Sequence, residues 1–140
     1  MNKLLFISVY ILGPLIVIEL LRNYCDTYEY NTLFTLLIIG IITSLLNHGL
    51  TNDILKYLDR GVMVSIGMYL TILLYGSPRL REGFWILVIA VMLYFSKFVL
   101  PNHKSHLLCH ITIVIYIFIF LQNYKKHYRC PFLGFIFCSL

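Results

Sequence analysis

Thr32-Leu-Phe-Thr-Leu-Leu-Ile-Ile-Gly-Ile-Ile-Thr-Ser-Leu-Leu-Asn-His-Gly-Leu50 contains no Asp, Glu, Lys or Arg. A helix needs about 20 mainly apolar residues to cross the hydrocarbon core of a bilayer. This run has that length and that character, so it predicts a membrane-spanning helix. Toward its end it carries Ser44 and His48. Four residues apart, they share one helical face, with Ser44 one turn deeper than His48.

The rest of the chain has the same composition. Of its 140 residues, 60% are hydrophobic and 12% are charged, and the mean hydropathy is +0.85. A soluble domain carries about a quarter charged residues. Here that share is halved, and the charges cluster between apolar runs. The composition therefore points to one integral-membrane domain spanning 1–140. The formal net charge of +5, spread over several short loops, reads as contact with lipid headgroups. No basic-aromatic patch in a soluble context points to nucleic acid.

Outward from the opening stretch, the pattern predicts an all-α bundle of about five membrane-spanning helices, near 4–21, 32–50, 59–75, 83–100 and 105–121. Gly13-Pro14 predicts a kink in the first, tolerated where neighbouring helices satisfy the freed carbonyl. Gly76-Ser77-Pro78-Arg79 and Pro101-Asn102 are breakers. Trp85 lies at interface depth, and Tyr24, Tyr57, Tyr75 and Tyr124 read as an interfacial belt. His127 sits in a basic patch with Lys125, Lys126 and Arg129 and reads as solvated. The tail 131–140 is apolar but too short to span, so it lies at the interface or packs back on the bundle. The N-terminus imitates a signal peptide, but it has no small-x-small cleavage site and its apolar run is long, so it reads as a retained helix.

Of the four cysteines, Cys25, Cys109, Cys130 and Cys138, none forms a CxxC pair, and no disulfide framework is expected. Five crossings put the termini on opposite sides. Lys3, Lys56, Arg60, Lys97 and Lys104 then face Arg22, Arg79, Arg81, Lys125, Lys126 and Arg129. That near balance leans only to a cytoplasmic C-terminus. The expected location is an integral, multi-pass position in an endomembrane, such as endoplasmic reticulum or Golgi if the host cell is eukaryotic.

Alternate crossings also bring distant polar residues to one membrane face. His48 ends the second helix, Asp59 opens the third, and His106 and His110 open the fifth. His106 and His110 stand at i and i+4 on one face, and His48 arrives from another helix. Three neutral imidazoles with a fourth position open form the ligand pattern of catalytic zinc. Zinc lowers the pKa of a bound water toward ~7 and polarises a carbonyl. Asp59 is the candidate general base, and Ser44 the candidate hydrogen-bond donor to that water or to a developing oxyanion. Ionisable groups at membrane depth are costly and mark function by default.

Ser44-x3-His48-x10-Asp59 together with His106-x3-His110 resembles the CREST superfamily of membrane hydrolases, most closely its alkaline ceramidase and Per1-like branches. The resemblance implies zinc on His48, His106 and His110, water attack assisted by Asp59, and a supporting role for Ser44. It implies a membrane lipid as substrate. It covers roughly 43–69 and 101–120, about half the chain. Two departures stand out. The family has seven helices, whereas about five are predicted here; losing two between the third and the fifth preserves orientation but removes part of the pocket wall, which a homodimer could rebuild. Acidic calcium ligands precede the first helix in alkaline ceramidases, and only Met1, Asn2 and Lys3 precede it here, so no calcium site is expected.

Other readings stay open. Asp59 could cap its helix, Ser44 could bond back to the carbonyl of Gly40, and the histidines could be interfacial polar residues. His103 could replace His48 in a cluster with His106 and His110. Glu19, toward the opposite face, reads as a partner for Arg22 or a helix-packing group. The functional alternatives are a zinc-dependent lipid amidase or esterase, a non-enzymatic lipid sensor or membrane scaffold with a retained zinc, and a structural membrane protein without metal.

Overall fold

The computed structural model describes residues 3–50, 52–96 and 103–128, with the side chains of all of these except Arg79 and His103. Five helices follow one another: α1 (Lys3–Arg22), α2 (Tyr28–Gly49), α3 (Asp53–Gly76), α4 (Phe84–Ser96) and α5 (His103–Tyr128), with a 3-10 turn at Pro78–Arg81 between α3 and α4. There is no strand among the described residues, and the class is all-α. Four helices, α1, α2, α3 and α5, are long and apolar enough to cross a membrane. The described part of α4 has 13 residues. The expected continuation over 97–100, the Pro101-Asn102 break and the apolar tail lie outside the described residues.

The helices begin earlier than their apolar runs. Thr27 caps α2, its hydroxyl accepting from the amide of Tyr30 at 3.1 Å. Asn52 caps α3 by accepting from the amide of Ile54 at 2.9 Å. Both caps satisfy amides that a helix start leaves without partners. The first turns beyond them are polar, so hydropathy alone does not mark them. Asp59 is consequently well inside α3 and is not its cap. At the other end of the chain, α5 continues through Tyr128 and includes part of the basic patch.

α2 packs along both α1 and α3, and α5 along both α1 and α4. The described residues of the helices therefore form an arc, α3–α2–α1–α5–α4, in which α3 and α4 share few contacts. Two glycines let backbones approach, as small residues do between membrane helices. A Cβ on Gly13 would stand 2.9 Å from Cγ2 of Ile41, and one on Gly40 would stand 2.8 Å from Cδ1 of Ile66. α1 runs as one helix through Pro14. Large apolar side chains such as Tyr10, Ile18, Val64, Ile72 and Met92 point outward. A soluble protein would bury this much apolar surface; a bilayer solvates it.

The tightest packing lies at the end that carries the α1–α2 loop. Leu20, Tyr30, Leu33, Leu80, Phe120, Leu121 and Tyr124 are almost completely buried there. The Tyr30 hydroxyl donates to the carbonyl of Leu20 at 2.5 Å, and the hydroxyls of Thr27 and Tyr124 share a hydrogen bond of 2.8 Å. Tyr124 is thus core, whereas Tyr57 and Tyr75 are exposed as a belt requires. Glu19 is buried and accepts from the Asn23 amide at 2.7 Å, with Gln122 at 3.5 Å and Arg22 at 3.9 Å. It is a helix-packing group, as its position suggested. His127 is half-buried, with Nε2 3.2 Å from the Ser77 hydroxyl, because α5 extends far enough to fold it back on the 3-10 turn.

Cys25 is disulfide-bonded, contrary to the expectation from cysteine spacing; its partner lies outside the described residues. Pairing depends on approach in space, which sequence separation does not report. Cys109 is free and buried, its thiol donating to the carbonyl of Ala90 at 3.2 Å. That bond ties α5 to α4.

Candidate metal centre

The last turn of α2 carries His48, and the first turns of α5 carry His106 and His110. Alternating helix direction brings these ends to one face of the bundle. The ring centroids of His48 lie 5.4 Å from His106 and 5.5 Å from His110, and those of His106 and His110 lie 4.7 Å apart. One nitrogen from each ring falls within 4.8 Å of the other two. Nitrogens on one tetrahedral zinc ion at 2.0–2.1 Å stand about 3.3–3.4 Å apart, so the widest pair closes by up to about 1.5 Å when the three rings share an ion. His48 is buried and the other two are half-buried. His103 opens α5, but its side chain lies outside the described set.

A second layer orients these rings. Ser8 on α1 donates its one hydroxyl proton to the carbonyl of Leu5 at 2.7 Å and stands 3.0 Å from Nδ1 of His110. With that proton committed, Ser8 accepts from Nδ1–H of His110. His110 therefore presents the lone pair of Nε2, the tautomer a metal ligand needs. Tyr94 on α4 packs edge-on against His106, with centroids 6.0 Å apart.

Asp59 is buried on α3 and accepts from the Asn47 amide at 2.7 Å. Asn47 precedes His48, so this bond holds the carboxylate to the end of α2 that carries a ring. Ser44 does not bond back to Gly40; Thr43 does so, at 3.1 Å. Ser44 instead lines an apolar cavity of about 490 Å³ that also has His110 in its wall. From that end the cavity runs between the helices to Ile16, Leu37, Leu70 and Ile117.

The sequence singled out Ser44, His48, Asp59, His106 and His110; of these the structure groups His48, His106 and His110. Ser8, Asn47 and Tyr94 were not singled out. Ser8 did leave a signal: it interrupts the apolar run of α1 at the depth where α5 carries His110. Asn47 left a weaker one, as the amide beside His48.

These features define a class: an all-α bundle with helices able to cross a membrane, a three-histidine group able to hold a metal ion, and an apolar cavity leading away from it. No family model matches the chain, and no curated protein or solved structure matches it either.

Proposed function

We propose that the protein is a zinc-dependent integral-membrane hydrolase that cleaves an amide or ester bond of a lipid, in the manner of alkaline ceramidases. The observation that carries this reading is the meeting of His48, His106 and His110 within 4.8 Å at one end of an apolar cavity of about 490 Å³. Three neutral nitrogen donors and no thiolate suit zinc with an open position. Zinc supplies an acidified water and a polarised carbonyl. Asp59 takes the proton from the attacking water, oriented by Asn47. Ser44 donates a hydrogen bond to the oxygen that gains charge. Ser8 holds His110 in its ligating tautomer. The apolar cavity takes the acyl chain, so that only the bond to be cut reaches the polar end. The spacing shared with the CREST superfamily supports the same assignment.

The test is metal content, then turnover. Detergent-purified chain should carry about one zinc, lost in His48→Ala and in His106→Ala. Fatty-acid release from ceramides and phospholipids should vanish in Asp59→Asn while zinc stays bound. A folded parent without zinc would sink the hydrolase. One observation favours a second reading, a lipid sensor with structural zinc: among the described residues, the helical arc leaves the cavity without a closed wall between α3 and α4. That reading expects bound zinc and no turnover of any lipid.

A further inference from the structure

Among the described residues, one cation stands at the lip of the same cavity. Arg60 of α3 lines it at the end shared with Ser44 and His110. From Arg60 to Leu70, the deepest α3 residue in its wall, the helix rises roughly 15 Å at 1.5 Å per residue. That is half of a ~30 Å hydrocarbon core. The cavity is therefore about one leaflet deep. An extended acyl chain of a lipid in that leaflet spans the same depth.

Arg60 has no ion-pair partner among the described residues. The neighbouring acids are engaged elsewhere: Asp53 pairs with Lys56 at 2.6 Å, and Asp59 accepts from Asn47. A guanidinium offers a planar fork that grips phosphate or carboxylate through two hydrogen bonds, and its apolar stem lies comfortably along a greasy wall. The way in is also visible. α3 and α4 meet only slightly, and a groove between them is lined by Gly67, Met68 and Thr71 on one side and Leu87 and Val91 on the other. Gly67 lines the cavity as well, and a Cβ there would meet nothing within 4 Å.

We infer that Arg60 is the headgroup subsite of this cavity, which takes a lipid from one leaflet through the α3–α4 seam, one acyl chain inside and an anionic group on the guanidinium. The inference rests on the hydrolase reading only in treating the cavity as the ligand site. It directs that reading away from neutral ceramide and toward phosphate- or carboxylate-bearing lipids.

The test is binding to the full chain in neutral maltoside micelles, with chelator present, using three ligands of equal chain length: lysophosphatidic acid, palmitate and neutral monopalmitoylglycerol. The parent should prefer the anionic ligands to the neutral one by about tenfold, as charge-assisted hydrogen bonds of ~1.5 kcal/mol provide. Arg60→Gln should remove that preference without weakening the neutral ligand. Arg60→Lys should keep part of it, and Lys56→Gln all of it. Gly67→Phe, which has room to fold, should weaken all three by filling the entrance. Lysophosphatidic acid ahead of palmitate identifies a phospholipid source, and the reverse identifies a free fatty acid; both support the inference. An unchanged anionic preference in Arg60→Gln overturns it, as does competition by inorganic phosphate at equal concentration. Disulfide crosslinking of Met68→Cys to a second copy would place a protein in the seam and also overturn it. Absence of zinc or turnover removes the hydrolase and leaves this result standing. Zinc and turnover with a lipid preference independent of Arg60 do the reverse.

Discussion

The two ends of this bundle are built on different terms. At the end with the α1–α2 loop, Tyr30, Phe120 and Tyr124 fill the space between helices and their neighbours leave almost nothing exposed. Polar groups there are matched locally: Tyr30 to the Leu20 carbonyl, Thr27 to Tyr124, Glu19 to Asn23. At the other end three imidazoles face one another, a carboxylate is held by an amide, and a cavity separates the helices behind them. In lipid, helix association relies on packing and on interhelical hydrogen bonds, since burial from water adds little. The packed end supplies the association. That leaves the histidine end free to keep a void and a cluster of lone pairs that would weaken a bundle with no other support.

The contrast is sharpest under truncation. Phe120→Ala should cost about 3–5 kcal/mol through lost packing, measured as thermal unfolding in detergent. Val91→Ala, at the half-exposed cavity wall, should cost less than about 1 kcal/mol. Equal losses would mean that the cavity is collapsed in solution. Next in size is Ser8→Ala, which removes the hydroxyl facing His110. Losing a hydrogen bond to a ligand ring weakens metal binding by about 10- to 100-fold, to be read by competition with a chromophoric chelator, while far-UV helicity stays unchanged. Unaltered affinity would show that His110 selects its tautomer without Ser8.

Under the proposed function, Asn47→Ala should act on lipid hydrolysis and leave the three histidines alone. Lipid hydrolysis should fall by about tenfold with zinc still at one per chain. Loss of zinc instead would make Asn47 a support for His48 and not for Asp59. The smallest effect is expected at Glu19→Gln. The exposed Arg22 contributes little to its partner, and a glutamine oxygen still accepts from Asn23. A change of less than about 1 kcal/mol in unfolding and none in zinc content would keep Glu19 a packing group.

Much of the site could be read because membrane helices impose strict geometry on sequence. Alternate crossings fix which face each helix end reaches, and i,i+4 spacing fixes which side chains share a stripe. His48, His106 and His110 followed from those two rules. The helix starts did not follow, because α2 and α3 begin on the caps Thr27 and Asn52 ahead of their apolar runs. That error assigned Asp59 to a helix opening, when the helix is already established two turns earlier. Likewise Tyr124, read as interfacial, and His127, read as solvated, are carried by α5 into protein contacts.

The sequence by itself determined the helical class, the presence of helices long and apolar enough to cross a membrane, and the residues that could bind a metal, since these depend on composition, run length and periodicity along a single chain. Only the tertiary structure decided that Ser8 meets His110, that Asn47 holds Asp59, that Cys25 is bonded, and that α3 and α4 stand apart over a cavity with Arg60 at its lip. Each of these depends on the rotation of one helix against another. Rotation is fixed by close approaches such as Gly13 to Ile41 and Gly40 to Ile66, and uniformly apolar helices carry little directional signal from which to foresee it.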